Sequence, residues 1–164
     1  MALGYARRGM RTWTKAHASP VTEADIAIDR FLKTRLAEAR PHFGWLSEET
    51  ADDPSRLACR EVFIVDPIDG TRAFAAGLPD WTISLAVVRD GRPVAAALAE
   101  PMAGRVFVAA RGHGASVDGR PLSAAPRETL AGARIAGPKP MTERAARAGA
   151  VTLPKIHSLA LRFA

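Results

Sequence analysis

The chain of 164 residues has a single cysteine, Cys59, so it cannot form an internal disulfide bond. It lacks an apolar run near the roughly 18 residues that a membrane-spanning helix needs. Its basic N-terminus lacks the apolar stretch and cleavage site of a signal peptide. The six Phe, three Trp and one Tyr are scattered, so no stacking series for single-stranded nucleic acid is present. We therefore expect a cytoplasmic protein with no membrane partner and no specific nucleic-acid partner.

The balance of charge differs between the two parts of the chain. Residues 1–100 carry a net charge of −1 and residues 101–164 carry +7, which together give the overall +6. A basic segment can bind nucleic acid or cradle a phosphorylated substrate. The 19 arginines far outnumber the 4 lysines, and arginines spread singly over turns are more often solvated surface. Charge alone therefore does not assign a partner.

Hydrophobic periodicity predicts an α/β fold, in which an antiparallel sheet is packed with helices. A helix is expected over residues 22–39, with Thr22 as N-cap and Asp25 closing a capping box. The Asp90-Gly91 pair predicts a tight hairpin, because both positions of such a turn need positive φ angles. Residues 11–20 are predicted to be a polar loop. Further strands are expected at residues 43–47, 62–66, 82–88, 93–99, 105–110, 115–117 and 133–136, and further helices at 71–75 and 142–149.

The segment Asp66-Pro67-Ile68-Asp69-Gly70-Thr71 is the most informative part of the sequence. An apolar strand delivers Asp66 to its C-terminal end, and Gly70 allows a sharp turn into a short helix. Two close carboxylates repel each other unless a proton or a cation compensates. Carboxylate oxygens suit Mg²⁺, and a helix N-terminus suits a phosphate. This combination indicates metal-assisted phosphoryl transfer to water. The four histidines show no metal-ligand spacing and are predicted to be surface or packing residues: His17, His42, His113 and His157.

Three segments together resemble the inositol monophosphatase superfamily of Mg²⁺-dependent phosphomonoesterases. They are Val21-Thr22-Glu23-Ala24-Asp25, Leu46-Ser47-Glu48-Glu49 and the segment 66–71, in the order and approximate spacing of that family. The resemblance is strong from about residue 12 to residue 122. It implies a layered α/β/α sugar-phosphatase-like fold and a small phosphorylated substrate.

The resemblance also implies metal ligands, with two or three Mg²⁺ ions in a complete site. Glu48, Asp66 and the Ile68 carbonyl match the first metal site. Asp66 and Asp69 match two ligands of the second.

The remaining implied roles concern the outer metal region, the attacking water and the phosphate. Asp25 and Glu49 match the outer, third-metal region. Thr71 with Glu48 matches the catalytic pair that orients and deprotonates the water, beside the metal ligand Asp66. The Gly70 and Thr71 amides match the phosphate cradle.

The branch of the family is indicated by two local features. Ser47 stands where inositol monophosphatases usually have Gly, and Trp13-Thr14-Lys15 precedes Ser19-Pro20. Both resemble the 3′(2′),5′-bisphosphate nucleotidase (CysQ-like) branch. The expected substrate is therefore a 3′(2′),5′-bisphosphate nucleotide of the adenosine 3′,5′-bisphosphate type, with inositol-1-monophosphate as the alternative.

One family element is not found in this sequence. The Trp-Asp-x-Ala-Ala motif that supplies a further metal-ligating aspartate does not follow the Ser158–Arg162 segment. Residues 1–125 are thus predicted to form an N-terminal metal-binding α+β domain, and residues 126–164 the incomplete start of a C-terminal α/β domain. We expect weak or absent activity of the isolated chain, and an uncovered apolar face favours a homo-oligomer.

Two rival interpretations stay open. Haloacid dehalogenase-type enzymes also place Asp-Gly-Thr after an apolar strand, but with one residue between the carboxylates, the first of which is phosphorylated. Here Pro67 and Ile68 both intervene, which argues against that chemistry. The chain could instead be a non-catalytic truncated remnant whose basic part binds polyanions.

Overall fold

The computed structural model describes residues 1–8, 10–14 and 20–164, so Lys15 and His17 lie outside the described residues. The helices are α1 (Ala2–Arg8), α2 (Glu23–Ala39), α3 (Thr71–Ala75) and α4 (Lys139–Arg147). The strands are β1 (Thr12–Thr14), β2 (Pro20–Thr22), β3 (Gly44–Ser47), β4 (Glu61–Asp69), β5 (Thr82–Arg89), β6 (Arg92–Glu100), β7 (Arg105–Ala110), β8 (Gly114–Val117), β9 (Arg120–Leu122), β10 (Arg134–Ile135) and β11 (Val151–Thr152).

A seven-stranded sheet forms the centre of the molecule, in the order β3-β4-β5-β6-β7-β8-β9. From β4 to β9 every neighbouring pair is antiparallel, which confirms the predicted meander. The exception is β3, which runs parallel to β4. The predicted turn between β5 and β6 is present, because Asp90 and Gly91 have φ angles of 51° and 73°. A tight hairpin of this kind matches the right-handed twist of its strands.

The helix predicted over residues 22–39 is α2, and its N-terminus is capped as expected. Thr22 accepts from the amides of Ala24 and Asp25, and the Asp25 side chain accepts from the Thr22 amide. This reciprocal arrangement satisfies amides that a helix start leaves without intrahelical partners. The cap fixes Asp25 at the point where β2 enters α2.

The buried core lies between the first helices and the sheet. Phe74 and Trp81 are each 1% exposed, and their rings meet edge to face with centroids 4.7 Å apart. This geometry is favourable for aromatic pairs. The cluster comprises Ala2, Ala24, Ile28, Ile68, Phe74 and Trp81. Ile68, between the two aspartates of the segment 66–71, is therefore held by the core itself.

Two expected boundaries were wrong. Residues 12–14 are a strand rather than part of a polar loop, because Thr12 to Thr14 pair with the antiparallel β2. Helix α4 begins at Lys139 instead of residue 142, because Pro140 occupies its first turn, where a fixed φ angle favours helix initiation. The predicted domain boundary near residue 125 stays a prediction. No helix among the described residues has the length and apolar character to cross a membrane.

Candidate active site

The parallel pairing of β3 with β4 brings two acidic segments to one edge of the sheet. Ser47 is the register partner of Val65, and the Glu48 amide donates to the Val65 carbonyl at 3.3 Å. Glu48 and Asp66 are the next residues along their strands. Since parallel strands end at the same edge, these two carboxylates leave the sheet side by side.

A bulge in β4 places Asp66 and Asp69 on the same side. Residues three positions apart in a regular strand point to opposite faces. Asp66 pairs with Ser84 and Asp69 pairs with Thr82, so three steps along β4 match two steps along β5. The extra residue restores a common face. The Ile68 amide donates to Asp66 Oδ1 at 3.1 Å, which fixes the turn.

Gly70 makes the turn from β4 into α3. Its backbone is left-handed, with φ 99° and ψ 35°. A Cβ atom there would lie 3.3 Å from the Ser158 amide nitrogen and 3.4 Å from the Asp80 carbonyl oxygen. Both the conformation and the crowding therefore require glycine. Helix α3 begins at Thr71, as predicted.

These residues line one cleft, which we call the carboxylate cleft, of about 360 Å³. The lining combines the sequence-predicted residues with a second set that is predominantly basic. The first set is Glu48, Asp66, Ile68, Asp69, Gly70 and Thr71, and the second is Pro20, Arg72, Lys155, His157 and Arg162. Six of the eight predicted site residues are thus brought together.

The surroundings of Asp66 in the cleft disfavour its ionised form. Its pKa is raised to about 7, first by burial and then by the nearby charges of Glu48, Asp69 and Asp25, against the hydrogen bond from the Ile68 amide. A carboxyl group in this state gains from a bound proton or from a cation. The observation fits a divalent metal, although it does not fix the number of ions.

Asp25 is 1% exposed and lies outside the residues that line the cleft. Burial raises its pKa, and hydrogen bonds from Thr22 and Thr71 act in the opposite direction. Its Oδ2 accepts from the Thr22 hydroxyl at 2.5 Å, and its Oδ1 accepts from the Thr71 hydroxyl at 3.2 Å. The same Thr71 hydroxyl lies 2.9 Å from the Ile68 carbonyl oxygen. The structure thus links Thr71 to Asp25, and the expected pairing of Thr71 with Glu48 stays a prediction.

Glu49 also lies outside the cleft lining. Its amide donates to the Ser47 hydroxyl at 3.3 Å. Ser47 and Thr50 both donate to the buried carboxylate of Asp29 in α2. The sequence did not single out Asp29, because the contact joins residues 18 and 21 positions apart.

The C-terminal segment of the chain closes the cleft near Asp69. The Ser158 hydroxyl donates to Asp69 Oδ2 at 2.6 Å. Asp80 Oδ2 accepts from the His157 amide at 2.6 Å and lies 2.7 Å from His157 Nδ1. His157 was predicted to be a surface or packing residue, and it instead lines the cleft. No sequence signal joins Asp80 to a residue 77 positions later.

Within the described ranges, no three His, Cys, Asp or Glu side chains are already arranged as a cluster that could hold a metal ion. The predicted ligand set therefore stays a prediction. Its chemistry nevertheless fits Mg²⁺, because the cleft combines carboxylates with a backbone carbonyl.

Curated relatives include three kinds of phosphatase. An inositol-1-monophosphatase of Mycobacterium leprae is 42% identical over 118 residues, which is 70% of this chain and 40% of that protein. A histidinol-phosphatase of Mycobacterium tuberculosis is 40% identical over 66% of this chain and 42% of its own length. The 3′(2′),5′-bisphosphate nucleotidase CysQ of Aggregatibacter actinomycetemcomitans is 32% identical over 68% of this chain and 42% of its own length. The match thus spans about two fifths of each relative.

Solved structures agree with the fold. The extragenic suppressor protein suhB of Bartonella henselae superposes with a TM-score of 0.88 at 27% identity, and the match covers 98% of this chain and 66% of that one. An IMPase/NADP phosphatase complexed with Mg²⁺ and phosphate has a TM-score of 0.84 at 24% identity, with 98% and 63% covered. The second likeness supports the fold alone.

The family model described as the inositol monophosphatase family matches residues 3–161. That span includes every residue that lines the carboxylate cleft except Arg162. The mixed α/β fold, the phosphatase relatives and this match agree with one another. The chain belongs to the inositol monophosphatase family.

Proposed function

We propose that this chain forms the metal- and phosphate-binding part of a Mg²⁺-dependent phosphomonoesterase. The observation that supports it is that Glu48, Asp66 and Asp69 line one cleft, where burial and then repulsion by the neighbouring carboxylates raise the pKa of Asp66 to about 7. A cation would relieve this repulsion. When bound, Mg²⁺ lowers the pKa of a water ligand and neutralises charge on the phosphoryl oxygens.

The residues that would hold the metals are those of the cleft. Glu48, Asp66 and the Ile68 carbonyl would hold the first ion, and Asp66 with Asp69 would contribute to the second. The outer ligands Asp25 and Glu49 are a weaker part of the proposal, because neither lines the cleft. Two or three ions remain the proposed number.

Thr71 would orient the attacking water. Its hydroxyl lies 2.9 Å from the Ile68 carbonyl oxygen and 3.2 Å from Asp25 Oδ1, so its one proton is donated to these protein acceptors. The lone pairs of Thr71 Oγ1 are then available to accept a hydrogen bond from water in the cleft. Asp25 acts here as a positioning residue, since it is one of the two acceptors that direct this proton away from the water. Glu48 would contribute to deprotonation of the water.

The phosphate would lie against the Gly70 and Thr71 amides at the start of α3. The substrate we propose first is a 3′(2′),5′-bisphosphate nucleotide. Arg72, Lys155 and Arg162 also line the cleft, and a substrate with two phosphates could place the second one against them. Inositol-1-monophosphate is the second candidate, because an inositol-1-monophosphatase is 42% identical to this chain.

Calorimetry and single-turnover hydrolysis together test the proposal. We expect Mg²⁺ uptake at millimolar concentration and inorganic phosphate binding only when Mg²⁺ is present. At high protein concentration we expect slow, Mg²⁺-dependent release of phosphate, faster from adenosine 3′,5′-bisphosphate than from inositol-1-phosphate or histidinol phosphate.

Matched variants separate the site from general charge effects. Asp66→Asn should abolish Mg²⁺ uptake, whereas Glu61→Gln, whose carboxylate pairs with Arg89 outside the cleft, should not. Mg²⁺ uptake unaffected by Asp66→Asn would refute the site. Metal binding without any hydrolysis would refute the enzymatic function of this chain and favour the non-catalytic remnant. Faster release from inositol-1-phosphate would reverse the proposed substrate order.

A further inference from the structure

Both carboxylate oxygens of Asp69 are bound by one short segment near the end of the chain. The Leu159 amide donates to Oδ1 at 3.1 Å. The Ala160 amide and the Ser158 hydroxyl donate to Oδ2 at 2.7 and 2.6 Å. We call residues 158–160 the Asp69 clasp. It reaches Asp69 from about 90 positions later in the sequence.

The number of available protons decides which residue donates in each hydrogen bond of the Ser158 hydroxyl. Ser158 has one hydroxyl proton, and it is used on Asp69, which can only accept. The Ser158 oxygen also accepts from the Leu161 amide at 2.9 Å. Thr82 Oγ1 lies 2.8 Å from the same oxygen, so Thr82 must be the donor in this contact. The chain of donors therefore runs from Thr82 through Ser158 to Asp69.

The two hydroxyl residues in this chain of donors are inaccessible to solvent. Thr82 and Ser158 are both 0% exposed. Hydrogen bonds in such surroundings are stronger than at a wet surface, and each missing partner costs more. The clasp is also anchored behind its first residue, because the Ser158 amide donates to the Asp80 carbonyl at 3.1 Å. The Ser158 hydroxyl that holds Asp69 is thus itself fixed in position.

Counting acceptor positions shows what the clasp leaves for a ligand. A carboxylate oxygen accepts about two hydrogen bonds or one bond and one metal ion. Among the described residues, Oδ2 already accepts two hydrogen bonds and Oδ1 accepts one. The position that remains is on Oδ1. We propose that Ser158, supported by Thr82, is a positioning residue that presents Asp69 to a divalent cation through Oδ1 alone. This inference rests on the proposed metal site.

The test is Mg²⁺ affinity measured by calorimetry on the whole chain. Ser158→Ala removes one of the three hydrogen bonds that hold Asp69 and opens a second acceptor position, on Oδ2. The loss of such a supporting hydrogen bond weakens metal binding by roughly 10- to 100-fold. Thr82→Val keeps Ser158 but removes its donor, so we expect a smaller weakening in the same direction. Thr82→Ser restores the donor and should restore the affinity.

A second buried threonine provides the control for general destabilisation. The Thr142 hydroxyl in α4 donates to the Lys139 carbonyl at 3.0 Å, so Thr142→Val removes a buried hydroxyl of the same kind. It should lower the melting temperature without changing Mg²⁺ affinity. If Ser158→Ala does not fold, the Thr82 pair alone decides the question.

The outcomes separate this inference from the proposed function. No Mg²⁺ binding by the unmodified chain refutes the metal site itself. Normal binding by the unmodified chain, with unchanged or tighter binding by Ser158→Ala and Thr82→Val, refutes only the positioning role. Equal weakening by Thr142→Val would likewise refute it, because the effect would then be loss of stability.

Discussion

The carboxylate of Asp29 in α2 accepts a hydrogen bond from the hydroxyl of Ser47 at the end of β3. Its other oxygen accepts from Thr50. One buried carboxylate therefore holds both ends of the turn that carries Glu48 and Glu49. The position of Glu48 in the cleft depends on α2 as well as on the sheet.

We expect Asp29→Ala to weaken Mg²⁺ binding about 10-fold, since a group that orients a ligand segment is lost. Two hydroxyls also lose their acceptor, which should lower the free energy of unfolding by about 1–3 kcal/mol. Calorimetry and urea denaturation measure the two effects. Asp53→Ala is the matched control, because Asp53 only caps an exposed 3₁₀ turn through the Ser55 amide. Equal Mg²⁺ affinity in Asp29→Ala and the unmodified chain would contradict the expectation.

The raised pKa of Asp66 predicts how stability depends on pH. Its pKa is about 7 in the folded chain and 3.8 as the ordinary value. Between these values the folded state binds a proton that the unfolded state does not. The contribution of Asp66 to stability is therefore complete below pH 3.8 and is lost as the pH rises through about 7. Mg²⁺, which binds the ionised form, should raise the melting temperature more at pH 8 than at pH 6.

Other groups also titrate in this pH range, so the contribution of Asp66 is isolated by comparing the unmodified chain with Asp66→Asn. Without metal, we expect the variant to become more stable than the unmodified chain as the pH rises from 5 to 8, and to lose the stabilisation by Mg²⁺. The relevant measurement is the difference in melting temperature between the variant and the unmodified chain at each pH. A difference that does not change with pH would show that Asp66 keeps an ordinary pKa.

Local patterns account for what the sequence could predict. The capping box of α2, the Asp90-Gly91 hairpin and the helix after Gly70 each depend on a few consecutive residues. Hydrophobic periodicity likewise predicted the strands of the meander from β4 to β8, but not the short strand β9. For the same reason the resemblance identified the segment 66–71, of which all residues except Pro67 line the cleft.

Contacts between distant segments account for what the sequence could not predict. The parallel pairing of β3 with β4 and the bulge in β4 depend on partners chosen by the whole sheet. The contacts of Asp80 with His157 and of Asp69 with Ser158 join residues 77 and 89 positions apart. No spacing rule covers such pairs, although they decide how the cleft carboxylates are oriented.

Gly70→Ala should lower stability by about 1–3 kcal/mol, because an alanine at φ 99° is strained and its Cβ would crowd the Ser158 amide. Gly77→Ala is the matched control. Gly77 also has a positive φ, of 70°, but nothing lies within 4 Å of an added Cβ. It should cost only about 1 kcal/mol, from backbone strain. Urea denaturation compares the two, and equal losses would show that crowding at Gly70 is unimportant.

Thr71 offers the sharpest test of the catalytic residues of the cleft, because Val is isosteric with Thr but lacks the hydroxyl, whereas Ser keeps the hydroxyl and lacks the methyl. Thr71→Val removes the donor to Asp25 Oδ1 and the acceptor proposed for the attacking water. We expect Mg²⁺-dependent phosphate release to fall by roughly 10²-fold or more, as loss of a group that positions the water implies. Thr71→Ser keeps the hydroxyl and should retain most of the rate.

The free energy of unfolding separates the catalytic effect of Thr71→Val from a structural one. Asp25 is buried, so loss of its hydrogen bond in Thr71→Val should cost about 1–3 kcal/mol of unfolding free energy. Asp25→Asn removes the buried charge but leaves Thr71 in place, and it should slow phosphate release while changing Mg²⁺ affinity less than Asp66→Asn does. If Asp25→Asn instead abolished Mg²⁺ binding as completely as Asp66→Asn, Asp25 would be an essential ligand rather than an outer one, and its contact with Thr71 would be secondary to that role.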